Sequence, residues 1–438
     1  MPTDSHIPTI PTSFWNTPSL QRIKLASFSA VVAPDAVLHA VLARLAAFTP
    51  SDLLLPGIVG GPAPLNYFAA ILARSGGGKS TAAKVAARLV PAPDILLGRD
   101  DIQIGTGEGL VESFLEKDES GEKVQVHHNA YVYVDEGEIL RRYGSRDGTT
   151  LDVIIRSAFS GSTLGQTNAS KATSRRLEAN SYSIGLVAGF QPAKAGALLT
   201  PESIDGGTPQ RFVWASGSMS SDDDHWIDSH DDVEWPGPLK LNTSVWTRGG
   251  LVKIAPVTAR AIRDAHRAVN AGRETLPPLD AHEPLITLRM AALMALLHGR
   301  FNPIPDDHHR ARILWRTNQQ VRRWVQQEVD DADQDDLNRQ IRREMQRSQA
   351  QVIARERAGD VAERIRGQVL RSLERHDGQA TFGVLKADIT KRLHPYFEDA
   401  LVDIARDRLI VLHKEGGTMR ISLPSYDEIV LDLNEPVG

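Results

Sequence analysis

The chain lacks cysteine, and no part of it forms a long hydrophobic run. None of the 438 residues is a cysteine, so disulfide bonds and thiolate metal sites are excluded, as expected in a reducing compartment. No stretch approaches the roughly 20 apolar residues that span a bilayer, and the N-terminus lacks a basic segment followed by an apolar one. These absences predict a soluble protein that is neither exported nor held in a membrane.

A large excess of positive charge is also missing. The 50 lysines and arginines are outnumbered by 55 aspartates and glutamates, which gives a formal net charge of −5. This balance argues against a protein that coats nucleic acid over its whole surface, but it allows a confined basic surface. The length allows two or three domains, and a hydrophobic fraction of 41% is that of an ordinary globular protein.

What is present is an alternation of β-rich and helical segments. Residues 1–33 carry four prolines among Ser and Thr, which predicts an extended arm, and residues 33–53 have the apolar spacing of an amphipathic helix. From residue 65 to residue 199, β-rich runs alternate with helical or polar segments, a pattern that predicts an α/β domain with a mostly parallel sheet. The predicted strands are 67–72, 94–97, 130–134, 183–189 and 210–215.

The second half of the chain is dominated by helical periodicity. Residues 216–238 contain clustered aspartates, interpreted as an exposed loop with a metal site as the alternative. The predicted helices are 257–270, 285–297 and 307–329. A charged stretch follows to about residue 357, and its arginines indicate the solvent-exposed face of a long helix. Residues 361–423 show three helical segments, 361–375, 382–392 and 396–407, and then two β-rich runs, 409–412 and 419–423. That order is typical of a winged helix.

A glycine-rich segment follows the first strand predicted for the sheet. Residues 73–81 are Ala-Arg-Ser-Gly-Gly-Gly-Lys-Ser-Thr, the spacing of a phosphate-binding P-loop, except that Ala73 replaces the usual first glycine. Lys79 is expected to reach the β- and γ-phosphates of ATP, and the Ser80 hydroxyl is expected to bind Mg²⁺. The residues predicted to hold the nucleotide are Ser75, Gly76, Gly77, Gly78, Lys79, Ser80 and Thr81.

Acidic residues follow two other strands. Asp135-Glu136 ends an apolar run in the manner of a Walker B strand, where the aspartate holds Mg²⁺ and the glutamate orients a water. Glu108 is a rival for the second role, because the glycines on both sides of it let the backbone present its carboxylate at the C-terminal edge of the sheet. A surface turn is the alternative for Glu108.

Two more polar residues lie at predicted strand ends. Gln191 follows the apolar run 184–190 and is a candidate sensor of the γ-phosphate, with a helix-start residue as the alternative. Arg211 lies at the start of the last predicted strand and is a candidate to neutralise transition-state charge at the nucleotide of a neighbouring subunit. A structural salt bridge is the competing interpretation.

This order of features resembles the RecA-type superfamily-four hexameric replicative helicases. It is more closely similar to the helicase portion of primase-helicase replication proteins of phages and plasmids, particularly those of actinobacterial phages. The resemblance rests on residues 76–80, 105–110, 133–136, Gln191 and 207–212, and covers roughly residues 60–300. Ala73 is a departure from the family pattern, and no primase segment precedes the motor, which suggests a stand-alone motor or the motor half of a larger polypeptide.

The resemblance implies a RecA-like P-loop ATPase domain over 34–256, a helical region over 257–357 and a winged-helix-like domain over 358–438. It further implies an ATP- and Mg²⁺-dependent motor that translocates on single-stranded DNA as a hexamer or similar ring. Such a motor acts in phage or plasmid replication in the cytoplasm of a bacterial host cell, with a primase or other replisome protein as a further partner. By position Glu108 is favoured over Glu136 as the water-activating base, and Arg211 acts in trans.

The sequence offers one segment for DNA contact. Lys171, Arg175 and Arg176 lie among small polar residues in 160–180, and a DNA pore needs such cations because phosphates dominate affinity. A disordered connection is the alternative. Most charged residues of the segment 396–407 are acidic, which favours a role of the last domain in protein docking over one in DNA recognition.

The sequence is also compatible with two rival functions. One is an ATP-switched DNA-binding initiator or regulator without unwinding activity. The other is a metabolic kinase, for which no acceptor-substrate motif is visible.

Overall fold

Two units make up the fold, which is described from a computed structural model. The structure describes residues 7–93, 99–137, 151–166, 174–230, 233–246, 248–415 and 417–425. The units are residues 1–333 and 334–438, whereas the domain boundaries predicted from the sequence follow residues 33, 256 and 357.

The first unit alternates strands and helices. Its strands are β1 (Leu53–Leu55), β2 (Ala63–Pro64), β3 (Tyr67–Leu72), β4 (Arg99–Ile102), β5 (Leu115–Lys117), β6 (Lys123–Gln125), β7 (Asn129–Val134), β8 (Leu164–Gln166), β9 (Arg175–Leu177), β10 (Ser183–Phe190), β11 (Val213–Ser216) and β12 (Gly250–Leu251). Its helices are α1 (Pro18–Phe28), α2 (Pro34–Phe48), α3 (Lys79–Leu89), α4 (Gly107–Glu112), α5 (Leu151–Ser160), α6 (Pro192–Ala195), α7 (Pro201–Gly206), α8 (Ser221–Asp228), α9 (Thr243–Trp246), α10 (Pro256–Asn270), α11 (Glu283–Leu297) and the first part of α12 (Pro305–Arg375).

Five strands form one parallel sheet in the order β11-β3-β10-β7-β4. Every residue of β3, β7, β10 and β11 is buried, which explains why these strands are continuous apolar runs. Tyr67 bonds His39 of α2 on one face, and its neighbour Phe68 packs on Phe159 of α5 on the other. The prediction of an α/β unit with a mostly parallel sheet is therefore confirmed, and the sheet is consistent with a Rossmann- or RecA-like core.

The observed bounds of the individual strands agree with the bounds predicted from the sequence to different degrees. Strand 67–72 was predicted with its observed bounds, and those at 130–134 and 183–189 extend by one residue. The prediction for 210–215 was wrong at its start, because Pro209–Arg211 is a 3-10 turn and β11 begins at Val213. The prediction for 94–97 lies outside the described residues, and the strand that follows is β4.

The predicted N-terminal arm is wrong. Residues 18–28 form α1, which begins with Pro18 and is capped by the Thr17 hydroxyl, which accepts the Leu20 N–H. Proline is compatible with the first turn of a helix, so proline content alone does not predict extended chain. Leu20 and Ile23 are fully buried, and α1 therefore belongs to the core.

Helix α2 is buried on all sides and is not amphipathic. Its polar residues have internal partners. Asp35 accepts the Ile10 N–H, His39 bonds Tyr67, and Arg44 binds Asp100 through two bonds. The predicted extent to residue 53 was also wrong, because α2 ends at Phe48 and β1 begins at Leu53.

Two expected loops contain regular structure. Residues 221–228, expected as exposed loop, form α8, and Asp223 pairs with Lys24 at 2.7 Å. Among the described residues no group of three His, Cys, Asp or Glu could hold a metal. The segment 160–180 contains an antiparallel hairpin of β8 and β9 on either side of undescribed residues 167–173.

The second unit contains the rest of α12, followed by α13 (Phe382–Asp388), α14 (Phe397–Arg406) and strands β13 (Gln379–Thr381), β14 (Val411–Glu415) and β15 (Thr418–Ser422). The strands form an antiparallel sheet in the order β13-β15-β14. The predicted helix 361–375 is the end of α12, and the predicted helix 382–392 stops at Asp388. In the described part of the chain, no helix is long and apolar enough to cross a bilayer.

Candidate nucleotide-binding site

The candidate site lies where the parallel strands β3, β10 and β7 end. The Ala73 N–H donates to Phe190 O at 3.0 Å, and the Gly137 N–H donates to Gly189 O at 2.7 Å. These bonds continue the strand pairing beyond the last residue of each strand. The loop that follows β3 is thereby fixed at the same edge of the sheet as the end of β7.

The loop at residues 74–78 depends on glycine. Gly76 and Gly78 have φ angles of +77° and +79°, a left-handed conformation that favours glycine. Residues 74–77 are exposed, and α3 begins directly afterwards at Lys79. An exposed turn of this shape at a helix N-terminus directs backbone N–H groups outward and favours an anion.

Lys79 lies between the loop and the end of β7. Its ammonium donates to Ala73 O at 3.3 Å and approaches Arg74 O at 3.5 Å. Its alkyl chain passes over Gly189, where a Cβ atom would lie 3.1 Å from Lys79 Cδ and 2.8 Å from Asp135 O. The Lys79 side chain and the backbone carbonyl of Asp135 therefore both pack against Gly189, where a side chain would not fit.

Asp135 is held by a residue that the sequence did not single out. The exposed carboxylate accepts the Tyr133 hydroxyl at 2.8 Å. Burial, and then the hydrogen bond to Asp135, raise the pKa of Tyr133, so the phenol stays protonated and donates. The signal in the sequence was the spacing of two, which places Tyr133 and Asp135 on the same face of the strand.

The other residues predicted for this edge follow neighbouring strands. Gln191 comes directly after β10, between the loop and β7; it is the N-cap residue of α6, and its side chain makes no cap bond. Glu136 is exposed after β7, and Glu108 is half-buried in the first turn of α4, after β4. Strand order thus brings Gln191, Glu136 and Glu108 to the loop's edge of the sheet, and both glutamates remain candidates for the base.

Arg211 lies at the opposite edge of the sheet. It precedes β11, which runs parallel to β3, so the length of the strand separates it from the loop of its own chain. Its half-buried guanidinium donates to Gly207 O, and its Nε has no hydrogen-bond partner among the described residues. Burial, and then the nearby Arg156, lower the pKa of Arg211. The expected place at the start of the strand is corrected to the preceding 3-10 turn.

The two described cations that were predicted for DNA contact have acidic partners. Arg175 pairs with Glu112 at 2.7 Å, and Arg176 pairs with Glu178 at 3.0 Å. Glu112 also pairs with Lys123, and these contacts lower the pKa of Glu112. Lys171 lies outside the described residues.

The chain was compared with known proteins. A scan against models of protein families found no match, and a search of curated proteins found no similar sequence.

The residues at this edge fit a nucleoside triphosphate with Mg²⁺. The open glycine turn and the Lys79 ammonium suit phosphate oxygens, while the Ser80 hydroxyl and Asp135 offer oxygen ligands to a cation. Mg²⁺ in proteins commonly keeps several waters and takes one or two carboxylates plus substrate phosphates. A site with one carboxylate and one hydroxyl is compatible with that preference.

Proposed function

We propose that this chain is an ATP hydrolase and that it is the motor of a replicative DNA helicase. The observation that carries the hydrolase is the exposed glycine loop that leads into Lys79, whose side chain packs over Gly189 at the sheet edge where Asp135 follows β7. Within this proposal the parallel sheet is the core of a RecA-like domain, and the second unit is a winged helix.

Each residue has one task in the proposed site. Bound ATP with Mg²⁺ supplies an activated phosphoryl group and the charge that balances it. The glycine loop with the first turn of α3, residues 75–81, and the Lys79 ammonium bind the phosphates, and Ser80 and Asp135 hold the cation. Tyr133 fixes the Asp135 carboxylate, and Glu108 or Glu136 orients the attacking water.

The motor part of the proposal rests on the resemblance to ring helicases and on the positions of Gln191 and Arg211. Gln191 lies between the loop and Asp135, where it can respond to the γ-phosphate. Arg211 lies across the sheet from its own loop, so it serves a nucleotide only on a neighbouring subunit. A ring of identical subunits on single-stranded DNA, in phage or plasmid replication, satisfies both placements.

The decisive test is Lys79→Ala with Lys84→Ala as the matched control. Lys84 lies in the same helix with its side chain exposed, away from the glycine loop. Loss of the Lys79 ammonium should abolish ATP turnover and forked-DNA unwinding, while the circular dichroism spectrum stays unchanged. Hydrolysis that persists in Lys79→Ala, or ATPase activity of the wild type that single-stranded DNA does not stimulate, contradicts the proposal.

A second candidate is an ATP-switched DNA-binding initiator or regulator. It is favoured by the ion pairs of Arg175 and Arg176 with glutamates, because these pairs neutralise two of the cations that a DNA pore would use. An unwinding assay separates the two functions, because only the helicase opens a forked duplex.

A further inference from the structure

Three aromatic rings form a continuous stack near the glycine loop. Phe28 stacks on Trp226 with ring centroids 4.7 Å apart, and Trp226 stacks on His230 at 3.9 Å with the planes 17° apart. Phe28 is buried, Trp226 is half-buried and His230 is exposed. The stack therefore starts in the core and ends in an imidazole ring at the surface.

The orientation of the exposed ring is fixed. His230 Nδ1 lies 2.7 Å from Trp226 O, and because a carbonyl only accepts, Nδ1 carries the proton in this bond. The bond and the stacking on Trp226 hold the imidazole parallel to the indole. Its outer face is thus a preformed flat surface, the kind on which a planar base stacks.

Chain segments adjacent to two of the stacked residues contact the loop or the end of the strand before it. Phe28 ends α1, and the turn that follows places Val32 Cγ1 2.8 Å from the position a Cβ on Gly78 would take. Trp226 lies in α8, and the chain reaches α8 from Gly217, whose N–H donates to Leu72 O at 2.6 Å, next to the start of the loop. The segments that carry the stack are therefore connected along the chain to contacts with the loop and with the end of β3.

The turn after α1 contains a strained residue. Val31 has a φ angle of +51° and its side chain is 68% exposed. A left-handed conformation is rare for a β-branched residue and is costly, and such residues concentrate at ligand-binding sites. An apolar side chain held out beside the loop lacks a role in the core.

We propose that the stack of Phe28, Trp226 and His230 is the platform for the base of the nucleotide whose phosphates the loop holds. The base stacks on the outer face of His230, with Val31 as an apolar neighbour. The ligand class is the nucleobase of a nucleoside triphosphate, adenine for ATP. The assignment rests on the proposed function of the loop and adds the part of the site that recognises something other than phosphate.

The test compares ATP with inorganic tripolyphosphate, which has the phosphates without a base. Each is titrated with Mg²⁺ by calorimetry into the wild type, His230→Ala and the matched control His225→Ala, an exposed histidine on α8 outside the stack. His230→Ala should weaken ATP on the order of tenfold, equivalent to about 1.4 kcal/mol, and leave tripolyphosphate unchanged. His225→Ala should change neither, and His230→Phe should restore ATP affinity because it restores a ring.

The outcomes separate this proposal from the hydrolase itself. If the wild type binds neither ligand, the phosphate site is wrong and the platform falls with it. If the wild type binds both, and His230→Ala leaves the ratio of the two affinities unchanged, the stack only packs α8 on α1 and the platform is refuted. Weakened binding of single-stranded DNA with unchanged ATP affinity would assign the stack to a nucleic-acid base and would equally overturn the proposal.

Discussion

At the scale of single residues, the Tyr133 hydroxyl orients the Asp135 carboxylate, and Tyr131 on the same strand provides a control. Tyr133 donates to Asp135, whereas the buried hydroxyl of Tyr131 has no hydrogen-bond partner among the described residues. Tyr133→Phe should therefore lower ATP turnover by about tenfold or more and raise the Mg²⁺ concentration needed for half-maximal rate, since a hydrogen bond to a charged group contributes about 1.5–3 kcal/mol. Tyr131→Phe should leave both unchanged.

A Mg²⁺ titration of the ATPase rate measures this effect. Equal behaviour of the two tyrosine variants would show that the phenol does not position Asp135.

The spacing of residues in the sequence indicated Lys79, Ser80 and Asp135 as candidate site residues, because the loop and the strand that carry them have strong local patterns. The spacing did not indicate that Gly189 is closely packed. That packing depends on how β10 pairs with β7 and on the path of the Lys79 side chain from α3. The left-handed backbone of Val31 was not predicted, for a similar reason. A left-handed angle at a valine has no signature in the sequence.

At the scale of elements, burial of α2 makes one carboxyl group sensitive to pH. Burial, and then the nearby Asp223, raise the pKa of Asp35 to about 7, against the lowering effects of the Ile10 N–H and Lys24. The folded protein thus keeps a proton that the unfolded chain releases near its ordinary value. The stabilisation from this proton is complete below that ordinary value and is lost as the pH rises through about 7.

Asp35→Asn should remove this dependence, because an amide keeps the oxygen for Ile10 and does not ionise. Relative to the wild type, the variant should gain more than about 1 kcal/mol of unfolding free energy between about pH 5 and about pH 8, as expected from 1.36 kcal/mol per pKa unit. Urea denaturation at both values measures it, with Asp222→Asn, exposed on α8, as the control. The same difference at both pH values would contradict the assignment.

Elements with strong periodicity were predicted well, and those governed by tertiary contacts were not. The helices at 257–270 and 285–297 were placed within two residues of their bounds. The prediction of an extended arm over 1–33 and that of loop at residues 221–228, within 216–238, were wrong. Composition does not show that Leu20 is buried or that Asp223 pairs with Lys24. The charged stretch after residue 329, interpreted as part of a long helix, lies in α12, and the segments predicted at 307–329 and 361–375 belong to the same helix.

At the scale of the whole molecule, the position of Arg211 requires a second copy of the chain for the proposed hydrolysis. Arg211→Ala should bind ATP normally and lose turnover on the order of a thousandfold, as expected for an arginine that neutralises transition-state charge. Mixed with Lys79→Ala subunits, it should regain up to about a quarter of the wild-type rate, because random mixing completes that share of junctions.

Light scattering checks that the mixture assembles, and a steady-state ATPase assay measures the rate. Mixed assemblies that remain inactive would show that Arg211 serves its own chain in a structural role, as its contacts with Gly207 and Phe159 would then explain.

The order of the parallel sheet also bears on how the protein is made. Strand β3, which leads into the glycine loop, pairs only with β10 and β11, and these are synthesised much later, at residues 183–216. Until then a nascent chain exposes a wholly apolar strand with both edges open, a state prone to misassociation on the ribosome. About half of the polypeptide must therefore be translated before β3 has both of its neighbours in the sheet.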